Sequence, residues 1–260
     1  DAPDKVSGTT KYNIDYITPD TLHARLVTSQ YAHARIKSID TQEALKLPGV
    51  KAIVTSEYCP GLTGVILEDH PMLAKDKVRY YGEPIAVVVA GSEYEAKKAA
   101  ELVNVKYEPL PVINTPSEAI KPDAPLIHEK LGEYRRLKHV FPEPGTNISN
   151  HVKIRKGDIG KAWAQCDVTV ESSFSLPQSD HIAMEPRNVI CEIKPDGRVI
   201  MSTSSQAPFV VRKMISRYFN IDEGKVIINT PAVGGAFGGK AAVQLEFIAY
   251  LASYAVHGRK

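Results

Sequence analysis

Residues 233–240 have the sequence Val233-Gly234-Gly235-Ala236-Phe237-Gly238-Gly239-Lys240. The apolar run Lys225 to Thr230 before this loop predicts a strand, and the run Ala241 to Val256 after it predicts a helix. A glycine loop between a strand and a helix leaves backbone N–H groups free at the positive end of the helix. The stretch therefore predicts a place for an anion or an anionic cofactor.

Two familiar glycine motifs fit this loop only in part. Gly234, Gly239 and Lys240 match the first seven positions of a P-loop, but the eighth is Ala241, which has no hydroxyl group for magnesium. A dinucleotide-binding loop needs spaced glycines in the first turn of a βαβ unit, whereas these glycines are paired and come late in the chain. A nucleotide-binding α/β domain remains an alternative, as does a tight turn without a ligand.

The composition is that of an ordinary globular protein. With 260 residues, 43% of them hydrophobic, the chain can bury a sizeable core and form two domains. The formal net charge of +2 indicates no surface for nucleic acid. No run of about 20 apolar residues predicts a membrane span. Cys59, Cys166 and Cys191 are too few and too scattered for a disulfide framework or a metal cluster, so we expect reduced thiols and a cytoplasmic location.

The first part of the chain alternates strand and helix signals up to Val112. Ser92 and Glu95 fit a capping box that opens a helix ending at Leu102. The predicted strands are Thr21 to Ser29, Ala34 to Ile39, Val50 to Ser56, Pro84 to Ala90 and Val103 to Tyr107, with a short helix from Thr41 to Lys46. We expect one α+β domain over residues 1–112.

Repeated prolines predict a linker over residues 113–150. A second domain is then expected over residues 151–260. It should contain a short helix to Ala164, a long strand from Val168, a hairpin that turns at Asp196-Gly197, and an amphipathic helix from Pro208.

Three ordered motifs give the chain a resemblance to a known family. They are Arg79-Tyr80-Tyr81-Gly82-Glu83-Pro84, Met184-Glu185-Pro186-Arg187-Asn188, and Ser204-Ser205-Gln206 together with the glycine loop. The chain resembles the large subunit of the molybdenum hydroxylases, the xanthine dehydrogenase and aldehyde oxidase family. This implies an α+β fold: an α/β hammerhead domain in residues 1–112, then the first, incomplete part of a molybdopterin-binding domain in residues 151–260.

The resemblance also implies chemistry. Members use molybdenum bound to a pterin, as molybdopterin or its cytosine dinucleotide, to hydroxylate an N-heterocycle such as a purine, or an aldehyde, with oxygen from water. Electrons pass to 2Fe–2S clusters and FAD on partner domains or subunits. The family's catalytic glutamate lies further downstream, in the C-terminal part of the large subunit. We therefore assign no catalytic residue to this chain and expect it to be inactive alone.

The cofactor contacts implied by the resemblance are few. Gln206 would donate its amide to an oxo ligand, and the backbone N–H of Phe237 would point at another. Gly235 and Gly238 would let the backbone approach the group closely, with no side chain bound to the metal. Ala241 takes the place of a glutamate that often orients purines in xanthine-oxidising members, which puts purine specificity in doubt.

Glu185 and Arg187 are expected to brace the metal loop from behind, with Glu185 bonded to backbone or to Arg187. His181 and Glu185 could instead be read as a metal pair, although no third ligand lies nearby in sequence. Lys240 has no derivable metal role and is expected to be solvated at the start of the helix. A non-catalytic assembly module is a further hypothesis.

Overall fold

The computed structural model describes residues 2–260. Within this range the strands are β1 (His23–Thr28), β2 (Ala34–Asp40), β3 (Val50–Val54), β4 (Leu62–Thr63), β5 (His70–Pro71), β6 (Lys77–Val78), β7 (Pro84–Ala90), β8 (Asn104–Pro109), β9 (Val189–Ile193), β10 (Val199–Thr203) and β11 (Val226–Asn229). The α-helices are α1 (Ala2–Val6), α2 (Gln42–Leu45), α3 (Glu93–Leu102), α4 (Pro116–Ala119), α5 (Ile159–Ala164), α6 (Pro208–Phe219) and α7 (Leu245–Ala255).

Strand β7 is the centre of the N-terminal region. It lies between β1 and β3, antiparallel to both. Its side chains from Ile85 to Ala90 are at most 2% exposed, as expected for an uninterrupted apolar run. A second antiparallel sheet, β6-β2-β8, and a short pair, β4-β5, complete this region.

Helix α3 begins as predicted, but with one hydrogen bond changed. The Ser92 hydroxyl accepts the Glu95 N–H at 3.2 Å, which confirms the cap. The Glu95 carboxylate accepts from the Ser92 hydroxyl at 2.9 Å and not from the Ser92 N–H. The prediction of a full capping box, in which Glu95 would bond the Ser92 N–H, is therefore wrong.

The C-terminal region contains a sheet in the order β11-β10-β9. The β9–β10 hairpin is confirmed, and Gly197 in its turn has a φ of 82°. Strand β10 runs parallel to β11, and α6 connects the two. Val211, Met214 and Ile215 on α6 are buried, as its amphipathic pattern predicts.

One apolar core joins the two regions. Val54 and Val87 from the first sheet belong to the same buried cluster as Met201 from β10 and Phe247 from α7. The C-terminal helix α7 therefore packs between both sheets and fixes the glycine loop relative to the N-terminal region.

Two predicted elements differ in the structure. The strand expected from Val168 is absent: residues 165–187 form neither helix nor strand, and Val168 is 79% exposed. The last helix begins at Leu245 and not at Ala241, because residues 238–244 turn before the helix starts. None of the helices in residues 2–260 has both the length and the apolar character needed to cross a membrane.

Candidate functional site

The glycine loop after β11 has an unusual backbone. Gly235 and Gly238 each have a φ of 93°, and Phe237 between them has a φ of 51°. Such values favour glycine, because a β-carbon crowds the backbone there. The four glycines add no side chain to the surface of the loop, and the Phe237 ring between them is 75% exposed.

Four consecutive N–H groups of this loop have no acceptor in residues 2–260: those of Gly235, Ala236, Phe237 and Gly238. On either side the backbone is held. The Gly234 N–H donates to Oε2 of Glu185 at 2.8 Å, and the Gly239 N–H donates to the Ala236 carbonyl at 2.7 Å. The loop is thus held at both ends by hydrogen bonds, and the N–H groups in its middle are left as a preformed set of donors.

The donors do not lie at a helix terminus, contrary to the sequence expectation. Helix α7 begins at Leu245, five positions after Lys240. Between them, the Ala241 N–H closes a turn onto the Gly238 carbonyl at 3.1 Å. The helix dipole therefore contributes little at this distance, since its effect falls off within the first turn. The local amide dipoles of the loop are what remain to attract an anion.

Glu185 and Lys240 form a buried ion pair behind the loop. Nζ of Lys240 donates to Oε2 of Glu185 at 2.7 Å, and their side chains are 2% and 7% exposed. This corrects the expectation that Lys240 is solvated. It also removes the free lysine that a P-loop would need for phosphate.

Glu185 uses its other oxygen on two further segments. Oε1 accepts the Asn13 N–H at 3.3 Å and the Asn188 amide at 3.4 Å. Burial by itself would raise the pKa of Glu185, but the hydrogen bonds from Lys240, Gly234 and Asn188 outweigh burial and lower it. The carboxylate thus stays ionised while it holds the loop.

Asn13 is a site residue that the sequence analysis missed. It is fully buried, and its amide nitrogen donates to the Ser202 carbonyl at 3.2 Å and also to Oδ1 and the carbonyl of Asn188. Tyr12 forms a parallel bridge with Ala232, which brings this segment beside the loop. No motif surrounds Asn13, so only the tertiary structure could identify it.

Gln206 lies directly beside Lys240, just before α6. Its N–H donates to the Lys240 carbonyl at 3.0 Å, and its Oε1 accepts the Lys240 N–H at 3.3 Å. The Gln206 side chain is exposed, and its Nε2 has no acceptor in residues 2–260. The carboxamide is therefore oriented by its oxygen, with the nitrogen left as a free donor.

Arg187 holds a different segment from Glu185. Its guanidinium donates to the Ala242 carbonyl at 2.5 Å and to Oε1 of Gln244 at 3.2 Å, and it forms an ion pair with Glu246 at 3.5 Å. The suggested Glu185–Arg187 contact is not formed, whereas the contact of Glu185 with backbone is. Arg187 thereby fastens the turn that carries the exposed residue Ala241.

His181 lies close to the glycine loop. A β-carbon on Gly239 would lie 2.9 Å from the His181 ring, so glycine allows this contact. The nearest charged partner of His181 is Asp180, at 3.6 Å. Within residues 2–260 no group of three or more His, Cys, Asp or Glu side chains could hold a metal ion.

A cavity of about 1290 Å³ opens beside the loop. Its lining includes Gly234, Gly235, Phe237, Glu185 and Arg187, together with apolar residues of β1 and α7. A space of this size is ample for a large organic cofactor.

Comparison with known proteins places this geometry in a family. Residues 7–111 match the sequence profile described as "Aldehyde oxidase and xanthine dehydrogenase, a/b hammerhead domain". Residues 140–260 match the profile described as "Molybdopterin cofactor-binding domain". The chain belongs to the molybdenum hydroxylase family. The α+β fold predicted for such a large subunit, a hammerhead domain followed by the start of a molybdopterin-binding domain, is confirmed.

Individual members of the molybdenum hydroxylase family align with nearly the entire chain. The "Nicotinate dehydrogenase large molybdopterin subunit" of Eubacterium barkeri is 33% identical over 98% of this chain and 57% of that protein. The "Carbon monoxide dehydrogenase large chain" of Hydrogenophaga pseudoflava is 32% identical over 98% of this chain and 32% of that protein. The solved aldehyde oxidoreductase of Desulfovibrio gigas has a TM-score of 0.80 at 29% identity, over 99% of this chain and 28% of that structure. The chain thus spans between 28% and 57% of the length of these relatives.

Proposed function

We propose that this chain supplies cofactor contacts in the large subunit of a molybdenum hydroxylase that hydroxylates an N-heterocycle or an aldehyde with oxygen from water. The observations that carry the proposal are the row of unbonded N–H groups from Gly235 to Gly238 and the free amide nitrogen of Gln206, which is bonded to Lys240 at the end of the same loop. They lie in the region that matches the molybdopterin cofactor-binding domain.

The residues present fit an oxygen-rich, anionic group. Backbone and carboxamide N–H groups are donors only, as anionic oxygens require. Gly235 and Gly238 have no β-carbon, so no side chain of their own blocks the approach to the loop. The buried Lys240–Glu185 pair neutralises its own charges, so neither side chain competes for the ligand. When bound, the molybdenum cofactor would supply the two-electron oxidation of the substrate carbon.

The residues of this chain would orient and stabilise the cofactor. The Phe237 N–H and Gln206 Nε2 would donate to oxygens of the cofactor, and Glu185 and Arg187 would keep both donors in place from behind. No side chain of this chain is assigned as the base that takes a proton. That role, the 2Fe–2S clusters and FAD are proposed for other parts of the large subunit and for partner subunits or domains.

The substrate is proposed only as a class. Ala241 lies on the turn after the loop, and its methyl group cannot hydrogen-bond a ring nitrogen or carbonyl. A purine would therefore need a donor or acceptor from elsewhere. Relatives are named after nicotinate, carbon monoxide and aldehydes, so their names select no substrate.

The test replaces the donor nitrogen of Gln206. Gln206→Glu keeps the shape and the accepting oxygen but removes the N–H₂ group. We expect the affinity of the assembled complex for the cofactor to fall at least about tenfold, equivalent to about 1.4 kcal/mol, and its molybdenum and pterin content to fall with it. The matched control is Gln165→Glu at an exposed helix end, which should keep full content. Full molybdenum and activity in both Gln206→Ala and Phe237→Gly would instead favour the assembly module.

A further inference from the structure

A second cavity, of about 420 Å³, lies between the hammerhead domain and the segment that follows it. Asp69 and Arg79 line it from within the matched hammerhead range. Most of its other lining residues, among them Ile113, Ile127, His128 and Leu131, lie between residue 111, where the first matched range ends, and residue 140, where the second begins. The volume is that of a small-molecule site, in a part of the chain to which neither match assigns a role.

The walls of this cavity are held in place by satisfied hydrogen bonds. Nζ of Lys77, whose side chain is 5% exposed, binds Oε1 of Glu129 at 2.8 Å and so fixes the segment to the hammerhead domain. Oδ1 of Asn147 accepts the Ile127 N–H at 2.9 Å, and its Nδ2 donates to two backbone carbonyls at 3.1 Å. The cavity is therefore preformed, which lowers the cost of ordering it around a ligand.

Arg79 has unused donors at this cavity. Its Nη1 donates to the Lys77 carbonyl at 3.2 Å, whereas its Nε and Nη2 have no acceptor within residues 2–260. Oε1 of Glu83 lies 3.9 Å from Nη1, but burial raises the pKa of Glu83, which weakens it as a counter-charge. A guanidinium group with unused N–H groups is suited to bind a carboxylate.

Asp69 supplies the opposite charge. Among the described residues its carboxylate has no hydrogen-bond donor and no ion-pair partner, Arg79 included. Both groups nevertheless act on the same ring, because Arg79 lowers the pKa of His128 and Asp69 raises it. The two charges therefore lie near one wall of the cavity without neutralising each other by contact.

His128 adds a polar group without a charge. Burial, and then the charge of Arg79, lower its pKa to about 4, so the ring is neutral at pH 7. Its Nδ1 is paired with the Tyr134 hydroxyl at 3.2 Å, and its Nε2 has no partner in the part of the chain that the structure describes. The ring can therefore hydrogen-bond a ligand without repelling a positive charge.

We propose that this cavity binds a small zwitterion of the amino-acid class. Its carboxylate binds Arg79, its ammonium group binds Asp69, and its aliphatic part packs against Ile113, Ile127 and Leu131. A purely anionic ligand would meet the like charge of Asp69, and a purely cationic one would meet that of Arg79. A molecule that carries both charges pairs with each of them.

Three ligands of closely similar shape test this proposal on the assembled complex, prepared without molybdate. L-leucine carries both charges, 4-methylpentanoate lacks the ammonium group, and 3-methylbutylamine lacks the carboxylate. Isothermal titration calorimetry should give leucine a Kd of about 1 mM or lower and should show at least about tenfold weaker binding of each analogue. If leucine at about 10 mM did not bind, or if either analogue bound as tightly as leucine, the proposal would be overturned.

Two variants show whether leucine binds in this cavity. Asp69→Asn should weaken leucine binding at least about tenfold without weakening that of 4-methylpentanoate, because only the ammonium group loses its partner. Arg79→Gln should weaken leucine binding to a similar extent without weakening that of 3-methylbutylamine. Asp20→Asn, at an exposed position outside the cavity, is the matched control and should change no affinity.

Asp69→Asn decides the question if Arg79→Gln does not fold. Leucine binding that is unchanged in Asp69→Asn would contradict the proposed site. A failed molybdenum assignment would leave these affinities unchanged, and absent leucine binding would leave the Gln206→Glu result unchanged. The two proposals can therefore fail separately.

Discussion

Nζ of Lys240 lies 2.7 Å from Oε2 of Glu185, and the same oxygen accepts the Gly234 N–H at 2.8 Å. One buried carboxylate oxygen thus binds both ends of the glycine loop. The backbone of Lys240 in turn holds Gln206 through two hydrogen bonds. The ion pair connects three motifs that are far apart in sequence, so it controls the geometry of all the proposed donors.

Lys240→Met should destabilise the chain strongly. Removal of the ammonium leaves Glu185 buried without its counter-charge, and losing one partner of a buried pair costs about 3–5 kcal/mol. Urea denaturation should show this loss as a lower midpoint.

Its control is the double variant Lys240→Met with Glu185→Gln, which removes both charges. If the uncompensated charge causes the loss, the double variant should recover much of the stability. Lys46→Met breaks the exposed pair with Glu43 and should change little. A Lys240→Met protein as stable as the wild type would contradict the buried-pair assignment.

A fall in pH should weaken the contacts of the Glu185 carboxylate with Lys240 and Gly234. Burial alone raises the pKa of Glu185, but the bonds from Lys240, Gly234 and Asn188 lower it below its ordinary value. A carboxyl group with a lowered pKa contributes stability above the unfolded-state pKa and loses it as the pH falls through the folded-state pKa. The stability difference between wild type and Glu185→Gln should be constant from about pH 8 to about pH 5 and shrink below about pH 4. If this stability difference grew as the pH fell, it would contradict the lowered pKa of Glu185.

Much of the fold could be predicted from local patterns. The apolar run of β7, the hairpin turn at Asp196-Gly197 and the amphipathic face of α6 each depend on neighbours in sequence, and all three are present. The strand from Val168 was predicted from an equally clear pattern. It is absent because pairing is a tertiary property, and no neighbour is available in residues 2–260.

The site was less accessible to sequence reasoning. The pattern of the glycine loop itself predicts an anion site, and the resemblance adds Gln206 and Glu185. The structure brings the three together, and their cofactor roles remain predictions. Lys240 was expected in solvent because a position next to a loop carries no sign of burial. Asn13 lies 172 positions before Glu185 and has no motif around it, so their contact could not be foreseen.

Glycine at position 235 should be required for its backbone conformation. Its φ of 93° is unfavourable for any residue with a β-carbon, and the new atom would also lie 3.3 Å from the Phe237 ring. Gly235→Ala should therefore cost about 1–2 kcal/mol in unfolding free energy and lower the molybdenum content of the complex. Gly160→Ala is the matched control: it lies in α5, where the new atom meets only Asp158 Oδ1 at 3.5 Å, and alanine should stabilise slightly. Equal losses from both variants would show that the loop conformation is not the cause.

Thiol reactivity should distinguish the three cysteines. Burial raises the pKa of Cys59 to about 11 and that of Cys191 to about 12, so both remain protonated near neutral pH. Cys166 is exposed, two residues after the end of α5. A disulfide reagent at about pH 8 should therefore react rapidly with one thiol in the isolated chain, and Cys166→Ser should abolish that phase. A second rapid thiol would contradict the raised pKa of Cys59 or Cys191, and three rapid thiols would contradict the burial of Cys191 beneath α7.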